Sequence, residues 1–155
     1  MKKYKFTKET LQFFGRTLHR IVATRNFGNV KKGDLGGWIE TEDNLSHEGN
    51  CWVYNEAKIY DNAQVFENAQ VYGDAWVYWE AQVSDNARVF ENAQVYGDAW
   101  VYGDAWVSGK AQVYGGAQVF GDAQVCGKAE IKSTTHLTKG DHSGEVVKAP
   151  PNKPK

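Results

Sequence analysis

The 155-residue chain is poor in several residue types that other protein classes depend on, with one Met, three Pro, two Cys and four His. Cys51 and Cys126 stand 75 positions apart, which excludes both a paired-cysteine metal motif and a dense disulfide framework. A reduced, cytoplasmic setting is the expectation. The only Met is Met1, so no adaptable Met-rich groove can form. Apolar runs never exceed a few residues, which excludes a membrane-spanning helix. The opening MKKYKFTKET lacks the apolar stretch of a secretory signal. A net charge of −1 and a pI near 6.4 supply no electrostatic footprint for nucleic acid or an anionic membrane.

Against these scarcities stands a repeat. From Val53 to Glu130 the chain divides into thirteen gapless six-residue units, each opening on Val or Ile. The fifth position is Ala in every unit, from Ala57 to Ala129. The third and fourth positions are turn formers in most units, as in Asp61-Asn62, Gly73-Asp74, Gly97-Asp98 and Gly121-Asp122. A helix cannot carry so many Gly, Asn and Asp residues at a period unrelated to its turn. The Ala-x-Val-x stretch has strand periodicity, with Ala and Val on one side and their neighbours on the other. A short strand and a two-residue corner, repeated, make a polygonal coil whose rungs stack ~4.8 Å apart. The reading is an all-β solenoid with small and β-branched residues inside.

These units resemble the hexapeptide repeat of left-handed parallel β-helix proteins. That resemblance implies three flat sides with three hexads, about eighteen residues, to a coil. It also implies the left hand, against the general right-handed rule for parallel crossovers. The lead-in NFGNVKKGDLGGWIETEDNLSHEGNCWVY, Asn26 to Tyr54, resembles a bacterial and phage-associated group of YdcK-like proteins labelled as transferases. Ends of a solenoid need covering. Residues 1–28 read as an N-terminal β-hairpin cap, with KYKF, a turn at TKET, then LQFFGRTLHRIVAT. Residues 29–136 read as the β-helix, with an irregular first coil over 29–52 and regular repeats over 53–130. In that first coil Ile39 and Leu45 take aliphatic slots, His47-Glu48 is a two-residue bulge, and Cys51 takes an inward Ala slot. Residues 137–155 read as a closing cap and a polar tail ending APPNKPK.

With eighteen residues per coil, outward residues fall into columns: Tyr60, Tyr78, Tyr96 and Tyr114 on one side, Tyr54, Tyr72 and Phe90 on another, Phe66, Tyr102 and Phe120 on the third. The slot before each aliphatic residue is mostly Gln, relieved by Trp52, Trp76, Trp100 and Trp106. Such ladders stabilise a coil by themselves. Yet fifteen aromatics lie from Trp52 to Phe120, each offering ~150–250 Å². Soluble monomers rarely display apolar patches beyond ~300–600 Å². Part of the wall is therefore expected to be covered by other copies, and the resemblance implies a homotrimer. The expected interface or binding residues are Tyr60, Trp76, Tyr78, Trp79, Tyr96, Trp100, Tyr102, Trp106 and Tyr114. Trp79 occupies a corner where Gly or Asp is usual, so a large ring projects there.

The best-known relatives with this repeat are acyltransferases that use acyl-CoA, which the resemblance describes as trimers with a catalytic His at a subunit boundary. Here the regular units hold no His and no inserted loop; the four are His19, His47, His136 and His142. His47, in the bulge beside Glu48, is the one candidate base. A three-His zinc site like that of the γ-type carbonic anhydrases lacks its third ligand. No metal, cofactor or nucleic acid is expected. Ice binding needs Thr ladders, and the thirteen units contain no Thr. The leading reading is a non-enzymatic, trimeric β-helix that assembles and binds a host protein or small ligand through aromatic and Gln ladders. The phage-like resemblance adds host-defence interference in a host cytoplasm. The alternative is an acyltransferase using acetyl-CoA or another acyl-CoA.

Overall fold

Each six-residue unit contributes one two-residue rung, and rungs eighteen positions apart pair in parallel, as Val77 with Val95 and Val95 with Val113. A computed structural model describes residues 2–132, and beyond them the backbone of His136–Leu137, Asp141–Ser143 and Val146–Val147. The rungs build three walls of nine, six and five strands around one axis, a β-solenoid of about five coils. No α-helix occurs among the described residues. A 3-10 turn covers Glu42–Asn44.

The Ala and Val slots face the axis, and every one of them from Val53 to Ile131 is buried. Backbone hydrogen bonds run from coil to coil, for example Trp76 N–H to Ala93 O at 3.0 Å and Tyr78 N–H to Val95 O at 3.0 Å. At all thirteen corners the first corner residue has a positive φ, between 55° and 70°. That backbone favours Gly, since a side chain there costs ~1–2 kcal/mol. At Gly97 a Cβ would also stand 2.8 Å from the Gly115 nitrogen of the next coil. Where the corner carries an acid or amide instead, its oxygen accepts the next coil's corner N–H. Examples are Asn55 to Gly73 at 3.0 Å, Glu67 to Asp85 at 2.9 Å and Glu91 to Gly109 at 2.7 Å. That bond offsets the strain.

Strand β1 (Tyr4–Phe13) and strand β2 (Arg16–Ala23) form the N-terminal hairpin. The turn is at Phe14-Gly15, not at TKET as the sequence reading has it. Both turn residues have positive φ, 48° and 79°, which a two-residue hairpin loop demands and Gly15 readily supplies. TKET lies inside β1, at a register shift between Phe6 and Thr10. β2 pairs antiparallel with β3 (Leu35–Ile39), and β3 pairs in parallel with the Lys58–Ile59 rung, so the hairpin continues the nine-stranded wall. Tyr4, Ile21, Phe27 and Val30 join the core cluster at the first coil.

The first coil follows the expected register. Ile39, Leu45 and Cys51 are buried in the core, and Leu45 bridges Val65 across a spacing two longer than elsewhere. Buried Asn44 replaces missing strand contacts. Its oxygen accepts from the Glu40 and Thr41 amides, and its amide donates to Asp61 O and Ala63 O. At the far end, strand pairing continues past residue 136: Asp141–Ser143 pairs with Gln124–Cys126, and Val146–Val147 pairs with Glu130–Ile131. The stretch APPNKPK, residues 149–155, lies outside the described residues.

Candidate functional site

Alternation along each rung sends the residues flanking Val or Ile outward, and in-register stacking turns them into columns. On the hairpin-bearing wall, called the first face, Tyr60, Tyr78, Tyr96 and Tyr114 stack with ring centroids 4.9, 4.9 and 5.0 Å apart and planes within 5°. The hydroxyls give the two Gln slots of this face their partners. Tyr78 donates to Gln94 at 3.2 Å, Tyr96 to Gln112 at 2.9 Å and Tyr114 to Glu130 at 3.2 Å, each across to the next coil. Desolvation between the rings raises the Tyr60 and Tyr78 phenols above their ordinary value and pushes Tyr96 up to about 12.

The structure brings Trp76, Tyr78, Trp79, Tyr96 and Tyr114 together on or beside this first face. Tyr60 belongs to the same column but is only 4% exposed, because the hairpin tip lies over it. Phe13 meets Tyr60 at 5.5 Å and Trp76 at 4.9 Å, and the Arg16 guanidinium sits 5.1 Å from the Tyr60 ring. Arg16 also pairs with Asp61 at 2.6 Å. Leu18, Trp38 and Tyr60 thus form a second apolar cluster outside the solenoid core. Trp100 and Tyr102 sit on the second face, and Trp106 on the third near Phe90 and Arg88.

Four rings stand out by exposure: Phe14 at 72%, Trp79 at 52%, Trp100 at 43% and Trp106 at 40%. Trp79 has φ 58°, so this corner carries an exposed ring where its neighbours below carry Gly97 and Gly115. Its edges meet Tyr78 at 5.5 Å and Tyr96 at 5.6 Å. Phe14 is not among the residues expected from sequence, because a turn at TKET puts it within a strand; the Phe14-Gly15 pair is the signal that marks it.

Beside Trp79 opens a groove of about 800 Å³ lined by Glu40, Asp43, Asp61, Glu80 and Asp98 against one cation, Arg16. Its charge opposes a phosphate-bearing ligand such as an acyl-CoA. His47 lies elsewhere, at the junction of hairpin and first coil. Its Nδ1 accepts the Lys3 amide at 3.2 Å, so Nε2 carries the proton and donates to Glu42 at 2.9 Å. The ring stacks on Tyr4 at 4.1 Å. Bonds from His47 and Lys2 hold the Glu42 carboxyl below its usual range. His47 is therefore tied into the scaffold at both nitrogens. His19 stacks on Phe6 at 4.3 Å. His136 and His142 lie on strands of which only the backbone is described.

One buried polar group has no counterpart in the sequence reading. The Lys3 amine is fully enclosed, donating to Gly49 O at 3.1 Å, to Cys51 O at 2.8 Å and to Cys51 Sγ at 3.4 Å. It also stands 4.6 Å from the centre of the Phe27 ring. Burial lowers the amine's pKa and raises that of the Cys51 thiol. This places Cys51 as a packing residue, in line with its Ala slot. No cluster of His, Cys, Asp and Glu suited to a metal ion occurs among the described residues. Nor is any described helix long and apolar enough to cross a membrane.

Fold and walls together define a β-solenoid repeat protein. The YdcK Beta solenoid repeat family model matches residues 81–93 and 93–109, within the regular coils. The chain is also similar to the protein named Uncharacterized acetyltransferase YdcK of Escherichia coli (strain K12), at 36% identity over 67 residues. That match takes in 38% of this chain and 21% of the relative, so the chain spans about a fifth of the relative's length. Both findings agree with the YdcK-like resemblance read from the lead-in.

Proposed function

We propose that this chain is a non-enzymatic scaffold that self-associates and binds a protein or small-ligand partner through its outward aromatic walls. The observation that carries the reading is Trp79, a half-exposed indole held at a left-handed corner beside the tyrosine stack. Such a backbone is retained against a cost where the projecting group has a use. The trimer implied by the hexapeptide resemblance is one form of this assembly, and a host partner of a phage-borne protein is one form of the binding.

Replacing Trp79 with Gly tests the reading. The substitution relieves ~1–2 kcal/mol of corner strain and removes edge contacts worth ~0.5–1.5 kcal/mol each. The melting temperature should hold while light scattering reports weakened self-association. Loss of stability with unchanged association would put Trp79 in the framework alone. An acyltransferase reading draws on the relative's name. The acidic groove and the engagement of both His47 nitrogens count against it. Saturable acetyl-CoA binding by calorimetry, abolished in His47→Ala, would reverse the choice.

A further inference from the structure

The first face is stepped. Over its upper coils the hairpin tip covers Tyr60 and packs on Trp76, while the rungs below present Tyr96, Gln112 and Tyr114 with no strand over them among the described residues. The lower half repeats, two coils on, the chemistry to which the tip already adheres. Phe14 at the tip keeps 72% of its surface exposed while touching Trp76 only at 6.0 Å. An exposed tip and an uncovered wall of matching chemistry lie on one side of one molecule.

We propose that a second copy of this chain docks antiparallel on the first face about a two-fold axis through Gln94 and Tyr96, each hairpin tip filling the partner's lower step. This rests on the self-association reading and commits it to one geometry. Two observations select the antiparallel arrangement. In the paired column Trp38, Lys58, Trp76, Gln94, Gln112, Glu130, Val146 the two charged residues are Lys58 and Glu130, each two rungs from Gln94 on opposite sides. Reversal about Gln94 sets each Lys58 against a Glu130 of the other copy. The Lys58 amine donates to Glu56 O and stands 5.4 Å from the centre of the Phe13 ring at the edge of the hairpin tip, which leaves donors for a carboxylate, and Glu130 has one oxygen on Tyr114. Charge is also segregated along the chain. Residues 1–32 hold nine Lys or Arg against Glu9, net +8, while residues 33–130 hold sixteen acids against four bases, net −12. A parallel pair would bring two basic hairpins together tip to tip and leave both lower steps empty. The antiparallel pair sets the two hairpins at opposite ends of the assembly.

The test combines mass, charge exchange and cross-linking on the whole chain. Light scattering should report a dimer. Lys58→Glu and Glu130→Lys should each weaken it about tenfold, since symmetry breaks two pairs at once. The double variant should restore it, with unchanged melting temperatures showing that each variant folds. In a Cys126→Ser background, Gln94→Cys faces its own copy and should be captured by a short bismaleimide. A trimer would overturn the two-fold geometry while leaving self-association intact. A monomer at micromolar concentration would overturn both. A dimer that ignores the charge exchange or resists the Gln94→Cys cross-link would overturn the antiparallel arrangement.

Discussion

At the residue scale, two buried positions carry opposite lessons. Ala99 occupies a fully buried corner slot that the six-residue pattern identifies directly. Ala99→Leu should lower stability by ~1–3 kcal/mol or more by overpacking, read as a fall in melting temperature. Lys3 was invisible to pattern: a lysine three residues from the start reads as solvated, and nothing local announces that it closes the first coil. Lys3→Ala should cost ~1–3 kcal/mol, because the Gly49 and Cys51 carbonyls lose their buried donor. Chemical denaturation measures it. An unchanged midpoint would mean that water takes over those bonds.

At the scale of elements, the tyrosine column is the clearest product of stacking. Strand spacing forces the rings together, and the Tyr78, Tyr96 and Tyr114 hydroxyls then find the Gln or Glu one coil on. The phenols are raised, so their contribution has a definite sign. An unfolded phenol titrates near ~10. Stability from a group raised in the fold is complete below that value and lost as pH rises through the folded value, about 12 for Tyr96. An alkaline titration followed by phenolate absorbance should show late-titrating tyrosines that ionise together with unfolding. Early, independent ionisation would mean the column is open to water. The corners were partly legible. Gly, Asp and Asn flagged turns, and the bond from Glu67 or Glu91 to the following coil's amide appears only once coils are stacked.

For the whole molecule, near-neutral net charge concealed a separation of sign along the chain. The basic hairpin is bound to the acidic body by Lys2–Glu42, Arg16–Asp61 and Arg20–Glu56, while Lys5, Lys8, Lys31 and Lys32 remain exposed. Pairing between copies that depends on Lys58 and Glu130 should weaken as salt rises, because screening acts within ~10 Å at 0.1 M. Light scattering across a salt series reads this. Association that is indifferent to salt would assign the contact to the rings alone.

The amino-acid pattern by itself determined the solenoid and its inward residues; coil length, and with it the membership of each outward column, came from the hexapeptide-repeat resemblance and from the pairing of rungs eighteen positions apart. One six-residue rule, applied thirteen times, leaves the backbone no other way to bury Val and Ala. Tertiary structure alone decided where the hairpin turns, that its tip lies on Tyr60 and Trp76, and that His47 and Lys3 are locked beneath it. Those contacts join residues more than forty positions apart that share no period. Periodicity dictates what repeats, and packing decides how the single, unrepeated end closes over it.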